Sequence, residues 1–241
     1  MSTAAIVDIG SNSIKILVAK RDPIGRTVAV YHNSLDVRIS TGINATQPML
    51  GNTAMTAGLE AIQELLSSAA TYSPQQVILV ATSAVREASN GAEFCSMVQT
   101  HTGHPIRILS GDEEAASIGR GLLCDPMLDD WRNFTLVDIG GGSLECLSFV
   151  DRQMANAASL PLGCVRLTEQ FVTDRQSPMS TNTRKQIIEY TGNFLKDVEF
   201  SKSTEITRCI VTGGSIVSIR SMVAAKSGIQ LRETSPCILR S

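Results

Sequence analysis

Val7-Asp8-Ile9-Gly10-Ser11-Asn12-Ser13 stands near the start of the chain, and Val137-Asp138-Ile139-Gly140-Gly141-Gly142-Ser143 repeats it 130 positions later. An apolar stretch precedes each copy, Ala4–Ile6 and Phe134–Leu136. Another follows, Ile14–Ala19 broken by Lys15 and Leu144–Val150 broken by Glu145. Turns at Asp22 and Asp151 then lead to third strand-like stretches over Thr27–Val37 and Met154–Leu160. Each copy reads as strand, tight acidic-glycine turn, strand, turn, strand, which is an antiparallel meander. A repeat this long is too widely spaced for a solenoid. It predicts two similar α/β lobes, 1–124 and 125–241, with Cys124–Asp130 and its Pro126 as the hinge.

The segments between fill in the lobes. Met55, Leu59, Ile62, Leu65 and Leu66 share one helical face over Thr53–Ser67. Val77–Ala81 is a covered strand, and Asn90 with Glu93 resembles a capping pair for a helix burying Phe94, Met97 and Val98. After a strand at Ile106–Leu109, Ser110-Gly111-Asp112-Glu113-Glu114 opens a helix with acids where the macrodipole favours them. Helices follow at about Gly163–Val172 and Thr183–Phe200, the latter with Val198 in phase. A strand at Arg208–Val211 then runs into Gly213-Gly214-Ser215 and a helix to about Ala225. Residues 226–241 show no clear period.

With 241 residues, 43% hydrophobic and 18% charged, the chain is ordinary globular material that can bury a core without staples. A net charge of −2 provides no global field toward nucleic acid or anionic membrane, and 4% aromatics leave no stacking platform for single strands. Neither nucleic acid nor membrane is therefore expected as a partner. No apolar run is long enough to span a bilayer and no charged leader precedes residue 4, so a cytoplasmic location is expected. Six cysteines without a C-x-x-C pair read as buried, reduced thiols. His101 and His104 flank Gly103 in a surface turn.

The chemistry sits in the turns. Glycines there allow close approach of a ligand and positive φ, and successive N–H groups make an anion nest. The strand-end carboxylates Asp8 and Asp138 suit Mg²⁺ or its waters, and Ser13 and Ser143 add hydroxyls. Gly213-Gly214-Ser215, between a strand and a helix, offers a helix N-terminus for a further phosphate, or is simply a tight turn.

Twin hairpins and a strand-GG-helix turn resemble the actin/sugar kinase/heat-shock ATPase superfamily. Four more segments in order, Ala81-Thr82-Ser83-Ala84-Val85-Arg86-Glu87-Ala88, Ile108-Leu109-Ser110-Gly111-Asp112-Glu113-Glu114-Ala115, Val137 through Glu145, and Leu160-Pro161-Leu162-Gly163-Cys164-Val165-Arg166-Leu167-Thr168, narrow the likeness. Over about residues 4–225 the chain looks like the Ppx/GppA (exopolyphosphatase/guanosine pentaphosphatase) phosphatase family. The resemblance implies two ribonuclease H-like lobes with a cleft between them. It also implies Mg²⁺-dependent release of a terminal phosphate from inorganic polyphosphate or guanosine pentaphosphate, and it allows a homodimer. By motif, Glu114 is the general base, and Asp138 and Glu145 hold Mg²⁺. Asp8, Ser11, Asn12, Ser13, Arg86, Gly140, Gly141, Gly142, Ser143, Gly213, Gly214 and Ser215 bind phosphate.

Plainer readings stand beside these. Glu113 and Glu114 are also ordinary first-turn acids, Arg86 could pair with Glu87 or Glu93, and Glu145 could sit on an exposed edge. The same hairpins would also serve a non-catalytic polyphosphate or nucleotide sensor, or a kinase or ATPase of the wider superfamily. The second lobe is expected to be one or two helices short of its family form.

Overall fold

The structure, a computed structural model, describes residues 2–41, 48–196 and 208–228. The first copy of the repeat forms β1 (Thr3–Ile9), β2 (Ser13–Arg21) and β3 (Thr27–Asp36). They are followed by α1 (Asn52–Ala70), β4 (Gln76–Ala81), α2 (Ser83–Glu87), α3 (Gly91–Thr102) and β5 (Ile106–Ile108). These strands make one sheet of order β3-β2-β1-β4-β5, with β2 antiparallel to both neighbours and β4 parallel to β1. After α4 (Gly111–Leu122) the second copy forms β6 (Phe134–Ile139), β7 (Leu144–Val150) and β8 (Gln153–Leu160). Then come α5 (Cys164–Phe171), α6 (Thr181–Lys196), β9 (Cys209–Thr212) and α7 (Gly214–Lys226). The second sheet, β8-β7-β6-β9 among the described residues, repeats the first with β9 in the place of β4.

The repeat extends into detail. A β-bulge sits in each third strand: Val30 of β3 is the extra residue opposite the Val18–Ala19 step of β2, and Ala155 of β8 the extra residue opposite the Ser148–Phe149 step of β7, 130 positions on. Such bulges bend and twist a strand, so both meanders curl in the same place.

Alternation along β1 and β2 buries Ala5, Val7, Ile9, Ile14, Ile16 and Val18 against the α1 face of Met55, Leu59, Ile62 and Leu65. That is the periodicity match of two to 3.6 that builds an α/β layer. In the second lobe, Phe134, Leu136, Leu147 and Phe149 form one face, with Phe134 and Phe149 stacked at 4.5 Å. Leu144, Cys146 and Leu162 form the other, under Leu167, Tyr190 and Phe194.

The first of those faces is covered by α4. Ala115 of α4 is buried among Phe134, Leu136, Leu147 and Phe149, so α4 leaves β5 of the first sheet and packs on the second. The expected hinge is itself tied down: Arg152, in the β7–β8 turn, donates to the carbonyls of Leu123, Leu128 and Trp131, around a short 3-10 turn at Pro126–Leu128.

Three smaller expectations also change. Asn90 does not cap α3 with its side chain; it clamps Leu50 instead, accepting from the Leu50 N–H at 2.8 Å and donating to its carbonyl at 2.9 Å. Phe94 and Val98 are buried as expected, and Met97 is half-buried. Of the described cysteines only Cys146 is buried; Cys124 and Cys209 are exposed. The expected extension of α6 through Val198 to Phe200 lies outside the described residues, as do Cys237 and the aperiodic segment from 229 onward. Among the described residues no helix is long and apolar enough to cross a membrane.

Candidate active site between the lobes

Both hairpins close in the same way. Gly10 N–H donates to the Ser13 carbonyl at 3.2 Å, and Gly140 N–H to the Ser143 carbonyl at 3.0 Å. The glycines at these tips do not take positive φ, contrary to the reason the sequence suggests for them; of the glycines in question only Gly213 does, at 101°. What the second tip needs is room. A Cβ on Gly142 would overlap the hydroxyls of Ser11 and Ser83, which are buried and 3.0 Å from each other in the first lobe. The two tips thus meet across the cleft.

The tip peptides are oriented by their carbonyls. In the first lobe, Ser11 O accepts from Ser40 N–H and its hydroxyl, and Asn12 O accepts from the N–H groups of Val37 and Arg38. In the second, Gly140 O accepts from Cys164 N–H, Gly141 O from the N–H groups of Val165 and Arg166, and Gly142 O from Arg166 Nε at 2.8 Å. In a planar trans peptide the N–H points opposite the C=O. The N–H groups of Asn12, Ser13, Gly141, Gly142 and Ser143 are therefore turned away from these supports, as an anion site requires.

Four carboxylates converge at the ends of the central strands. Asp138 lies opposite Glu145 in the β6–β7 register, and Asp8 opposite Lys15 in the β1–β2 register. Strand alternation puts Asp138 and Glu145 on the α4 side of their sheet, toward the N-terminus of that helix and Glu114. Burial raises the Glu145 carboxyl to about 7, opposed by the Ser143 and Ser159 hydroxyls and reinforced by Glu114 and Asp138. Glu145 is only 2% exposed and accepts from Ser159 Oγ at 2.8 Å, so it is no edge residue. Burial also raises Asp138, against the Thr212 hydroxyl and Lys15, and raises Asp8, against Lys15 and with Asp138.

Glu113 and Glu114 separate cleanly. Glu113 completes a capping box with Ser110 and pairs with exposed Arg107 at 2.5 Å; those hydrogen bonds, the Ser110 backbone foremost, hold its carboxyl below the usual range. Glu114 faces the cleft, 12% exposed, 2.9 Å from Arg86 Nη1, which also donates to the Leu109 carbonyl. Burial raises the Glu114 carboxyl, Arg86 opposes this, and Asp8 and Asp138 add to it. Arg86 thus pairs with neither Glu87 nor Glu93.

Gly213 sits at the floor, where a Cβ would overlap the Ile139 carbonyl oxygen and lie 2.8 Å from Asp138 Oδ1. Gly214 and Ser215 begin α7 beside it. The structure therefore brings together Asp8, Ser11, Asn12, Ser13, Arg86, Glu114, Asp138, Gly140–Ser143, Glu145 and the start of α7. It adds three residues that sequence reasoning did not assign. Lys15 acts on both Asp8 and Asp138, and its signal was present, since it occupies the position in β2 that Glu145 occupies 130 residues later. Thr212 faces Asp138, and Arg166 supports the second tip.

Comparison with known proteins agrees with this architecture. The model of the Ppx/GppA phosphatase family matches residues 17–230. An exopolyphosphatase from Cytophaga hutchinsonii superposes with a TM-score of 0.85 at 21% identity, over 96% of this chain and 73% of that one. The PPX-GPPA enzyme of Aquifex aeolicus superposes with a TM-score of 0.72 at 23% identity, over 95% of this chain and 72% of that one. The two lobes and their cleft have the actin-like fold.

Proposed function

The chain belongs to the Ppx/GppA phosphatase family, and from that premise we propose that it hydrolyses a terminal phosphoanhydride, releasing phosphate from inorganic polyphosphate or guanosine pentaphosphate with Mg²⁺. The observation that carries this reading is Glu114, a half-buried carboxylate with a raised pKa, fixed by Arg86 beside two phosphate-sized hairpins.

Hydrolysis needs a water deprotonated as its oxygen attacks the terminal phosphorus, while the bridging P–O bond breaks and the remaining chain leaves with the electron pair. A base serves this best when its pKa is moved toward the working pH. Glu114 accepts the proton of that water. The tip N–H groups, Arg86 and Lys15 face the equatorial phosphate oxygens and offset the charge gathered there in the transition state. The approach of the tips excludes bulk water, which strengthens each of these interactions.

The residues fit Mg²⁺. Among the described residues no three His, Cys, Asp or Glu side chains form a metal cage. Mg²⁺ is commonly held by one or two carboxylates with waters and substrate phosphate instead. Hard oxygens are what the cleft offers: the Asp138 and Glu145 carboxylates opposite each other, with the Thr212 hydroxyl beside Asp138. Asp138 and Glu145 would hold the ion, which supplies charge neutralisation for the phosphates and orders water.

Phosphate release from polyphosphate and from guanosine pentaphosphate, each with Mg²⁺, tests the proposal against a Glu114→Ala control. Turnover that disappears in the variant is expected. Equal rates in both proteins would overturn the assignment, and stabilisation by polyphosphate without any turnover would replace it with a binding role.

A further inference from the structure

Arg166 makes a contact that neither the family motif nor the proposed chemistry explains. It stands in the first turns of α5, in the second lobe. Its Nε donates to the Gly142 carbonyl at 2.8 Å, and its Nη2 meets Glu87 Oε2, in the first lobe, at 2.5 Å. Both side chains are largely covered, 25% and 35% exposed. Its own backbone N–H donates to Gly141 O. One guanidinium therefore holds the second hairpin tip from behind and grips the opposite lobe.

Its partner lies at a mechanically favourable place. Glu87 is the last residue of α2, a five-residue helix whose preceding residue is Arg86. Arg86 reaches across to Glu114, whose helix α4 packs on the second sheet. The adjacent, oppositely charged residues Arg86 and Glu87 thus each bind a residue of the second lobe. Directly beside them, Ser83 of the same helix meets Gly142. Displacing α2 relative to the second lobe would disturb the base, the tip and the tie together.

We propose that Arg166 is a positioning residue: with Glu87 it fixes the closed arrangement of the lobes, and so sets the distance between the Gly140–Ser143 tip and Glu114. A planar fork is needed, because two donors in different directions must reach a backbone carbonyl and a carboxylate together. A lysine at 166 keeps the charge but can satisfy only one of them well. The kinetic part of this inference rests on the hydrolytic reading above, whereas the tie between lobes does not.

The test is amide hydrogen–deuterium exchange of the full chain without ligand, comparing wild type with Glu87→Gln and Arg166→Lys. Glu87 does not touch the second tip. If it acts through Arg166, Glu87→Gln should speed exchange roughly tenfold, the scale of one charge-assisted hydrogen bond, at Gly140–Ser143 and Cys164–Arg166 of the opposite lobe. Arg166→Lys should do the same at α2. β1, β4 and β6 should stay protected in both variants, which shows that they are folded. Changes confined to the lobe that carries the substitution would overturn the proposal. In turnover, both variants should lower kcat more than they raise KM; a pure KM effect would mean that Arg166 binds substrate, and would also overturn it. If wild type releases no phosphate at all, the hydrolytic reading fails while the exchange comparison still decides the tie.

Discussion

Replacing Glu145 with Gln should stabilise the metal-free protein at pH 8 and leave it nearly unchanged at pH 5. In the folded chain the carboxyl titrates at about 7 because it is buried; its ordinary value is 4.5. A raised folded-state pKa means that the native state holds the proton more tightly. The associated stability is complete below about 4.5, drains away as pH rises through about 7, and is gone above it. Taking the whole shift, ionisation removes at most about 2.5 kcal/mol between pH 5 and pH 8, an upper value because Glu114 and Asp138 share the effect. For a chain of this length that is about 5–10 °C in Tm. Gln keeps the shape and can still accept from Ser159 Oγ, but it has no proton to lose. Urea unfolding of both proteins in chelator, at the two pH values, reads the difference, since the other titrating groups largely cancel. Identical pH dependence in wild type and variant would refute the account of Glu145 as a buried, desolvated acid.

Adding Mg²⁺ at pH 8 should restore stability to wild type, less so at pH 6 where Glu145 holds its proton, and should do little for Glu145→Gln; thermal shift against Mg²⁺ concentration checks this. Gly142→Ala should wedge the lobes apart, giving a larger radius of gyration in small-angle scattering, and Ser83→Ala in the same chain should reverse part of the change. Glu113→Gln should leave turnover near the wild-type rate while Glu114→Gln abolishes it, because only Glu114 faces the cleft; comparable losses in both would show that the capping acid had been misassigned. Phe149→Ala should cost about 3–5 kcal/mol in urea unfolding, as an aromatic stacked on Phe134 in a filled core.

The repeat made much of this fold legible. The first two strands of its copies lie in register to the residue, and the third strands follow from the same meander pattern, although Leu160 of β8 answers Leu35 of β3 at a spacing five residues shorter. Glu114 was separable from Glu113 only by motif, because both are favourable first-turn acids and the choice depends on which way α4 rolls on the second sheet. A helix with small buried residues such as Ala115 carries little sign of which sheet it will cover, or of how it rolls upon it. In the sequence the tip glycines suggest backbone freedom, whereas the second tip needs them for crowding, a distinction that exists only once the opposite lobe is in place. Arg166 and Glu87 are 79 positions apart and meet only through closure, and no local pattern encodes such a contact. At Asn90 the sequence offers a capping pattern but says nothing of Leu50, which takes the side-chain amide instead.

Lys15 and Glu145 occupy the same station next to the tips of the two hairpins, so the pseudo-twofold relation between them is broken electrically inside the cleft. A cleft built in this way has a direction. A phosphate seated between the tips has a fixed cation on its first-lobe side and, on its second-lobe side, a pair of acids that tolerates it only across a counter-ion.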